Sequence, residues 1–289
     1  MTNIGKIKGT LGPDQTSEEV EIAGLKWCLS RGDSHFEVYC APDYDADVLW
    51  SCTARGKLTV WGVDFGRQFQ VWSNIFDYVG LGHDECACSK NLELPHTPKK
   101  LYFAADIEVL KIRRIDLSSP TNEAIESPED AACLKVEGKK LWVSKKILGV
   151  HSPFFKALFS ADFMQKATGS CAIKEVKLDN FKLFLTVIYN IDITIKNDYQ
   201  DYLEDLLRLG NMWQCDSVLR FCRDTLEFDF VPLDVNIVLC DRYGFFPSLT
   251  TTIDDADLEE LKRLVKEGYL PELSSFGHCL IEKRLLGST

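Results

Sequence analysis

The sequence predicts a multidomain α+β chain: an N-terminal antiparallel β-sandwich, a central α/β domain in which helices dominate, and a helical C-terminal extension. Three observations predict it. From Glu19 to Arg114 apolar residues mostly alternate with polar ones, the period of strands with one buried face. After about residue 144 the apolar spacing becomes helical. Between Asp116 and Asp130 the stretch LSSPTNEAIESPE carries two prolines and no periodicity to bury, as a linker does. At 289 residues the chain is too long for one ordinary core. The domains are placed at residues 1–115, 128–228 and 229–289, with 116–127 as the linker.

The N-terminal strands are read from Phe36, Val38 and Cys40, from Leu58 and Val60, and from Phe69 and Val71, with Gly, Pro and Asp between the runs. Lys100 to Arg114 gives the longest strand signal, with Leu101, Phe103, Ala105, Ile107 and Val109 on one face. Cys133 to Val136 and Leu141 to Val143 predict a hairpin with Gly138 in its turn. Ser144 can cap a helix carrying Ile147 and Leu148, and Ser152-Pro153 sets a capping hydroxyl before a proline at the first helical position, opening Phe154 to Phe159. Ala172 to Leu178 reads as a strand, after which Asp179 caps a helix with Phe181, Phe184, Leu185 and Ile188 at i, i+3, i+4 and i+7. Helices are expected at Tyr199 to Leu209 ended by Gly210, Cys215 to Leu226, Val235 to Tyr243, Asp254 to Glu267 ended by Gly268, and Pro271 to Leu286. Leu207-Arg-Leu-Gly-Asn-Met-Trp213 is echoed by Ile237-Val-Leu-Cys-Asp-Arg-Tyr243, a hint of stacked helical hairpins.

Composition narrows the function classes. The chain is 45% hydrophobic and 27% charged with no low-complexity run, which excludes disordered, collagen-like and coiled-coil classes. A net charge of −11 with scattered Lys and Arg argues against nucleic acid as a ligand. No window approaches a membrane span, and Met1-Thr-Asn-Ile-Gly-Lys lacks the apolar core of a signal peptide. An intracellular location, cytoplasmic or nuclear, is expected. The eleven cysteines are odd in number, and Cys133, Cys222 and Cys240 sit in apolar stretches, so they are read as reduced thiols.

A search for chemistry yields little. The close cysteine pairs, Cys86 with Cys88 and Cys215 with Cys222, have no His at finger spacing. His83, Cys86 and Cys88 share one loop, which is read as a polar loop with two incidental thiols before it is read as a metal site. Neither phosphate-loop motif nor a G-x-S-x-G elbow occurs. His151 precedes a helix cap and is read first as a packing or surface residue. Asp254, Asp255, Glu259 and Glu260 stand where helix starts and solvated faces carry acid. The chain is therefore read as non-enzymatic, with no cofactor and no metal.

The stretch from Asp130 through Cys133-Leu-Lys-Val-Glu-Gly-Lys-Lys-Leu-Trp-Val-Ser-Lys-Lys-Ile-Leu-Gly-Val-His-Ser-Pro-Phe-Phe-Lys-Ala-Leu-Phe159 closely resembles the start of the BTB (POZ) domain. The resemblance continues through Ile173 to Phe181, Val187-Ile-Tyr189 and Leu203 to Met212, ending near Leu226. More loosely, Gly24 to Leu29, Phe36 to Cys40 and Trp50 to Val60 are similar to strands of the MATH (TRAF-like) β-sandwich. The pairing resembles the nematode MATH-BTB family. That resemblance implies an adaptor: the sandwich holds a protein substrate, the BTB domain forms a homodimer and docks on a cullin scaffold, and the assembly ubiquitinates the substrate.

Site residues follow from the resemblance position by position. Asp130 and Lys145 match the acid and base of the BTB charged cleft, and His151 stands where Arg or Lys is common, while Ser144 stands where His is common. An apolar-x-Glu motif is usual in the cullin-binding loop. Here it is Phe163-Met164-Gln165, which keeps the apolar residue and replaces the carboxylate by an amide. Loss of a charge-assisted hydrogen bond there costs on the order of 1–2 kcal/mol, about ten-fold in affinity. Two readings result: an adaptor for a cullin-type ubiquitin ligase, supported by Phe163 and by helices after Pro232 that resemble the extension of cullin-binding BTB domains, and a dimeric scaffold or decoy with weakened cullin contact, supported by Gln165.

Overall fold

The computed structural model describes residues 2–32, 35–42, 47–62, 68–79, 86–91, 100–160, 170–191, 200–228, 231–270 and 273–287. The chain divides into two compact units, residues 1–144 with 169–193, and residues 145–168 with 194–289. The architecture is mixed α+β. None of the described helices is long and apolar enough to cross a membrane.

The first unit opens with β1 (Ile4–Leu11), β2 (Gln15–Thr16), β3 (Val20–Ile22), β4 (Leu25–Arg31), β5 (His35–Ala41), β6 (Val48–Trp61), β7 (Phe69–Val79), β8 (Cys86–Asn91) and β9 (Leu101–Asp116). They form two antiparallel sheets, one ordered β1-β9-β6-β7 and the other β2-β4-β5-β8, with β3 also paired to β4. The alternating residues face inward as the period requires: Ile7 and Leu11, Trp27 and Leu29, Phe36 and Val38, Leu58 and Val60, and the run Leu101 to Val109 belong to one buried cluster. Each such side chain contributes about 1.5–3 kcal/mol by leaving water. The polar groups carried in are satisfied, since Trp27 Nε1 donates to Ile22 O at 3.2 Å and the buried Arg31 donates from Nη1 to Leu11 O at 2.8 Å. At the β6–β9 pairing Thr53 faces Lys111 and Ala54 faces Val109. Leu110 is thus the extra residue of a bulge, which resets the alternation and leaves Leu110 and Ile112 exposed.

The stretch after β9 is ordered by its own hydrogen bonds. Leu117 donates from its amide to Asp47 O and accepts from the Trp142 amide, both at 2.7 Å, and the buried Asn122 donates through Nδ2 to Ser119 O and Trp142 O. The residues expected to have nothing to bury therefore bury Leu117 and Asn122. The hairpin β10 (Ala131–Val136) and β11 (Lys139–Ser144) turns at Glu137 and Gly138, with φ of 46° and 87°. Two successive positive φ values are what a two-residue turn between twisted strands needs.

The short helices α1 (Lys145–His151) and α2 (Pro153–Leu158) belong to the second unit, and the chain returns to the first with β12 (Cys171–Ile173) and α3 (Leu178–Ile188). β12 runs parallel to β10, completing a sheet ordered β11-β10-β12. It is shorter than the strand expected from Ala172 to Leu178, because Glu175 takes φ of 59° and turns the chain out of the ladder. α3 buries Phe181, Phe184, Leu185 and Ile188 as its spacing predicts. Its cap is not Asp179, which lies in the first turn. The Leu178 amide donates instead to Glu137 Oε2 at 2.8 Å, from the hairpin turn. Within this unit Asp47 pairs with Lys139 at 3.4 Å and with Lys182 of α3 at 2.9 Å. Arg113 donates to the carbonyls of Tyr189 and Asn190 at the C-terminal end of α3, where a cation complements the helix dipole.

The second unit contains α1, α2, α4 (Gln200–Met212), α5 (Asp216–Leu226), α6 (Leu233–Arg242), α7 (Phe246–Asp255), α8 (Leu258–Glu267) and α9 (Ser275–Leu286). Gly210 does not end α4 as expected. The helix runs through it, because a Cβ there would stand 3.1–3.2 Å from Leu219 and Val218 of α5, so the glycine permits close helix packing. Gln214, with φ of 51°, makes the left-handed exit. The echo thirty residues on is the same corner bond for bond. Trp213, Gln214 and Cys215 donate to Leu209, Asn211 and Gly210, and Tyr243, Gly244 and Phe245 donate to Leu239, Asp241 and Cys240.

The helix expected from Asp254 to Glu267 is two. α7 begins earlier, at Phe246 with Pro247 in its first turn, and stops at Asp255; Asp257 then caps α8 by accepting from the amides of Glu259 and Glu260. Gly268, with φ of 75°, closes α8 as predicted. α9 starts at Ser275 rather than Pro271, with Ser274 accepting from the Gly277 amide while its own amide and hydroxyl donate to the buried Asp241.

Candidate functional site

The residues expected to form the charged cleft fall in different units. Asp130 lies in the first, at the entry to β10, while Lys145 and His151 are the first and last residues of α1 in the second. Phe163, Met164 and Gln165 lie outside the described residues.

Around Asp130 the turn before β10 determines the geometry. Its amide donates to Ser127 O at 3.0 Å, and Oδ2 accepts from Ser144 Oγ at 2.7 Å and from the Glu126 amide at 3.3 Å. Ser144, last in β11, is brought opposite by the antiparallel register that pairs it with Ala131. Its amide donates to Tyr189 Oη at 3.0 Å. Burial pushes the Tyr189 phenol well above the usual tyrosine range, the Asp130 charge adds to this, and the Ser144 amide partly opposes it. The phenol therefore stays neutral. Serine in the place where the resemblance leads one to expect histidine thus gives Asp130 an uncharged donor.

His151 is tied to α5. Its Nδ1 is in hydrogen-bond contact with Ser217 Oγ in the first turn of α5 at 3.0 Å, and Ser217 Oγ lies 3.4 Å from Cys215 Sγ. Burial pushes the Cys215 thiol up, with Ser217 partly offsetting it. A neutral buried thiol is a poor nucleophile. Next to it, Ser152 Oγ accepts from the Phe155 amide at 3.2 Å and donates to Trp213 O at 2.6 Å, capping α2 and pinning it to the end of α4. Trp213 meets Phe155 edge-on at 5.1 Å and stacks on Phe154 at 6.2 Å. In sequence this anchor precedes Phe163 to Gln165, which lie outside the described residues.

Nine cysteines have described side chains, and all nine are free. Burial pushes Cys240 up to about 12 and Cys222 higher still, so they behave as small hydrophobes. Among the described residues no group of three or more His, Cys, Asp or Glu could hold a metal ion. His83 and the side chains of Cys86 and Cys88 lie outside the described residues. Sequence reasoning missed Tyr189, Ser217 and Trp213 as partners. Only Tyr189 had a signal, as the end of the Phe181-x-x-Phe184-Leu-x-x-Ile188-Tyr189 run.

Residues 130–229 match the BTB/POZ domain family. The chain is 32% identical over 244 residues to BTB and MATH domain-containing protein 38 of Caenorhabditis elegans, covering 79% of this chain and 59% of that protein. It is 29% identical over 146 residues to Kelch-like protein 40 of Xenopus laevis, covering 49% of this chain and 23% of the relative, and 26% identical over 94 residues to Kelch-like protein 40a of Danio rerio, covering 32% and 15%. The chain thus spans less than two thirds of the length of these relatives. The hairpin, the capped Ser152-Pro153 helix and the Phe181 to Tyr189 helix all fall within this match, so the chain carries a BTB/POZ domain and is similar to nematode proteins of the MATH-BTB type.

Proposed function

We propose that this chain is a non-enzymatic, dimeric protein-interaction adaptor that recruits protein substrates to a cullin-RING ubiquitin ligase. The observation that carries the reading is the BTB/POZ match at residues 130–229 in a chain whose relative pairs that domain with MATH. In this reading residues 1–115 are a MATH-type sandwich that holds the substrate and 116–127 link it to the BTB domain at 128–228. The helices at 229–289 extend the cullin contact. Asp130, Lys145 and His151 line the BTB cleft, and Phe163, Met164 and Gln165 form the cullin contact. The protein acts inside the cell, in cytoplasm or nucleus, without cofactor, nucleic acid or membrane as partner. Dimerisation presents two substrate modules at once, so a weak contact gains effective concentration.

Gln165 favours a second reading, a dimeric scaffold or decoy with weakened or lost cullin binding. A pull-down with a cullin N-terminal domain separates them when wild type and Gln165→Glu are run side by side. Binding by both supports the adaptor, binding by Gln165→Glu alone supports the decoy, and binding by neither rejects the cullin connection. Crosslinking with mass spectrometry in cell extract identifies the substrate, whose crosslinks are expected on residues 1–115.

A further inference from the structure

The outward face of the sheet β1-β9-β6-β7 carries a groove of about 610 Å³, with Lys6, Lys8, Thr59, Trp61, Tyr102 and Asp106 in its lining. The strand register places these groups. Lys8 lies opposite Ala104 and Ala104 opposite Thr59, and in the next row Thr10, Tyr102 and Trp61 follow one another across the same three strands. The Trp61 and Tyr102 rings stack with centroids 6.1 Å apart and planes 12° from parallel, forming an aromatic shelf at one end. Ala104 and Thr59 leave the middle shallow.

The charge on this face is the reverse of the chain's. Lys6 is tied to Asp106 at 2.9 Å and Arg55 to Glu108 at 2.6 Å. Lys8 and Lys57, both exposed on the same face, have no ion-pair partner among the described residues. Of the six charged groups named here, Lys6, Lys8, Arg55, Lys57, Asp106 and Glu108, four are cations and two are anions, within a chain of net charge −11. An uncompensated ammonium beside an aromatic shelf selects a ligand with both a carboxylate and an apolar group. The groove crosses three strands and is roughly 10 Å wide, which suits a chain in extended conformation. From Lys8 to the shelf the register gives roughly 8–12 Å, the span of about two to four residues of extended peptide.

We propose that this face binds an extended acidic peptide segment of a partner protein, with an apolar side chain on the Trp61–Tyr102 shelf and a carboxylate at Lys8. The inference rests on the reading of the N-terminal sheets as the substrate-holding module, and it names the site and the substrate chemistry.

The test is to pan the full chain against a displayed library of random peptides long enough to cross the sheet. Enriched peptides are then titrated by fluorescence anisotropy on wild type, Lys8→Glu and Trp61→Ala. Expected are peptides with Asp or Glu about two to four positions from an apolar residue, weaker binding at high salt, and a roughly ten-fold or greater loss of affinity in each variant. Lys8 is exposed, so Lys8→Glu keeps the fold and reads the site even if Trp61→Ala is destabilised. No enrichment, enrichment of peptides without acid, or acidic peptides that bind Lys8→Glu undiminished would each overturn the proposal. In the last case peptide capture by the N-terminal sheets still stands if substrate crosslinks fall on residues 1–115; their absence there overturns the substrate-holding reading itself.

Discussion

Ser152 shows how much one hydroxyl can hold. It satisfies the open N-terminus of α2 and bonds the Trp213 carbonyl from a fully buried position. Ser152→Ala leaves both groups without that partner and is expected to lower stability by about 1–2 kcal/mol in denaturant unfolding, with Ser152→Thr recovering part of it. The cap was legible from Ser152-Pro153 alone, because a cap is local; its Trp213 partner, sixty-one residues away, was not. The thiols give a second prediction. Exposed Cys279 should alkylate rapidly in the native protein, while Cys222 and Cys240, buried and held neutral, should label only on unfolding, as read by peptide mass spectrometry. Asp116 gives a third. The Ser118 hydroxyl holds its carboxyl below the usual carboxylate range, aided by the Ser118 amide and Arg114 and opposed by partial burial. A lowered carboxylate contributes stability above its unfolded pKa and loses it as pH falls through the folded value. Ser118→Ala should therefore raise the Asp116 pKa in an NMR titration and reduce that acid-side dependence.

At the scale of elements, what the sequence made legible was periodicity. The inward rows of β5 and β9 and the apolar face of α3 stand where alternation and i, i+3, i+4 spacing put them. The misses have a common cause, which is a tertiary partner. Gly210 carried a stop signal, but its lack of a Cβ serves the approach of α4 to α5 instead. Gly210→Val is expected to cost about 1–3 kcal/mol through overpacking against Val218 and Leu219, measured by denaturant unfolding. α7 went unseen because Thr250, Thr251, Thr252 and Ile253 form a β-branched run with weak helix propensity. Asp241 is buried at a helix end and holds the cap of α9 through Ser274, a long-range pairing that no local pattern announces. Likewise the ties from Asp47 to Lys139 and Lys182, and from Arg113 to the end of α3, join segments far apart in sequence.

For the whole molecule, the family was legible because the BTB/POZ run is long and ordered, and a BTB/POZ match falls at residues 130–229. The bonds around Asp130 were less so. Asp130 accepts from the Ser144 hydroxyl, and the Ser144 amide donates to the Tyr189 hydroxyl, a chain of contacts between segments that meet only in the fold. The central claim is a dimeric adaptor that engages a cullin. It is tested most directly by sedimentation of the full chain, alone and with a cullin N-terminal domain. The account predicts a species of twice 32.8 kDa for the chain alone at micromolar concentration, and a heavier complex when the cullin domain is added, tightened about ten-fold in Gln165→Glu. A 32.8 kDa monomer that leaves the cullin domain sedimenting free, in wild type and in Gln165→Glu alike, would contradict it.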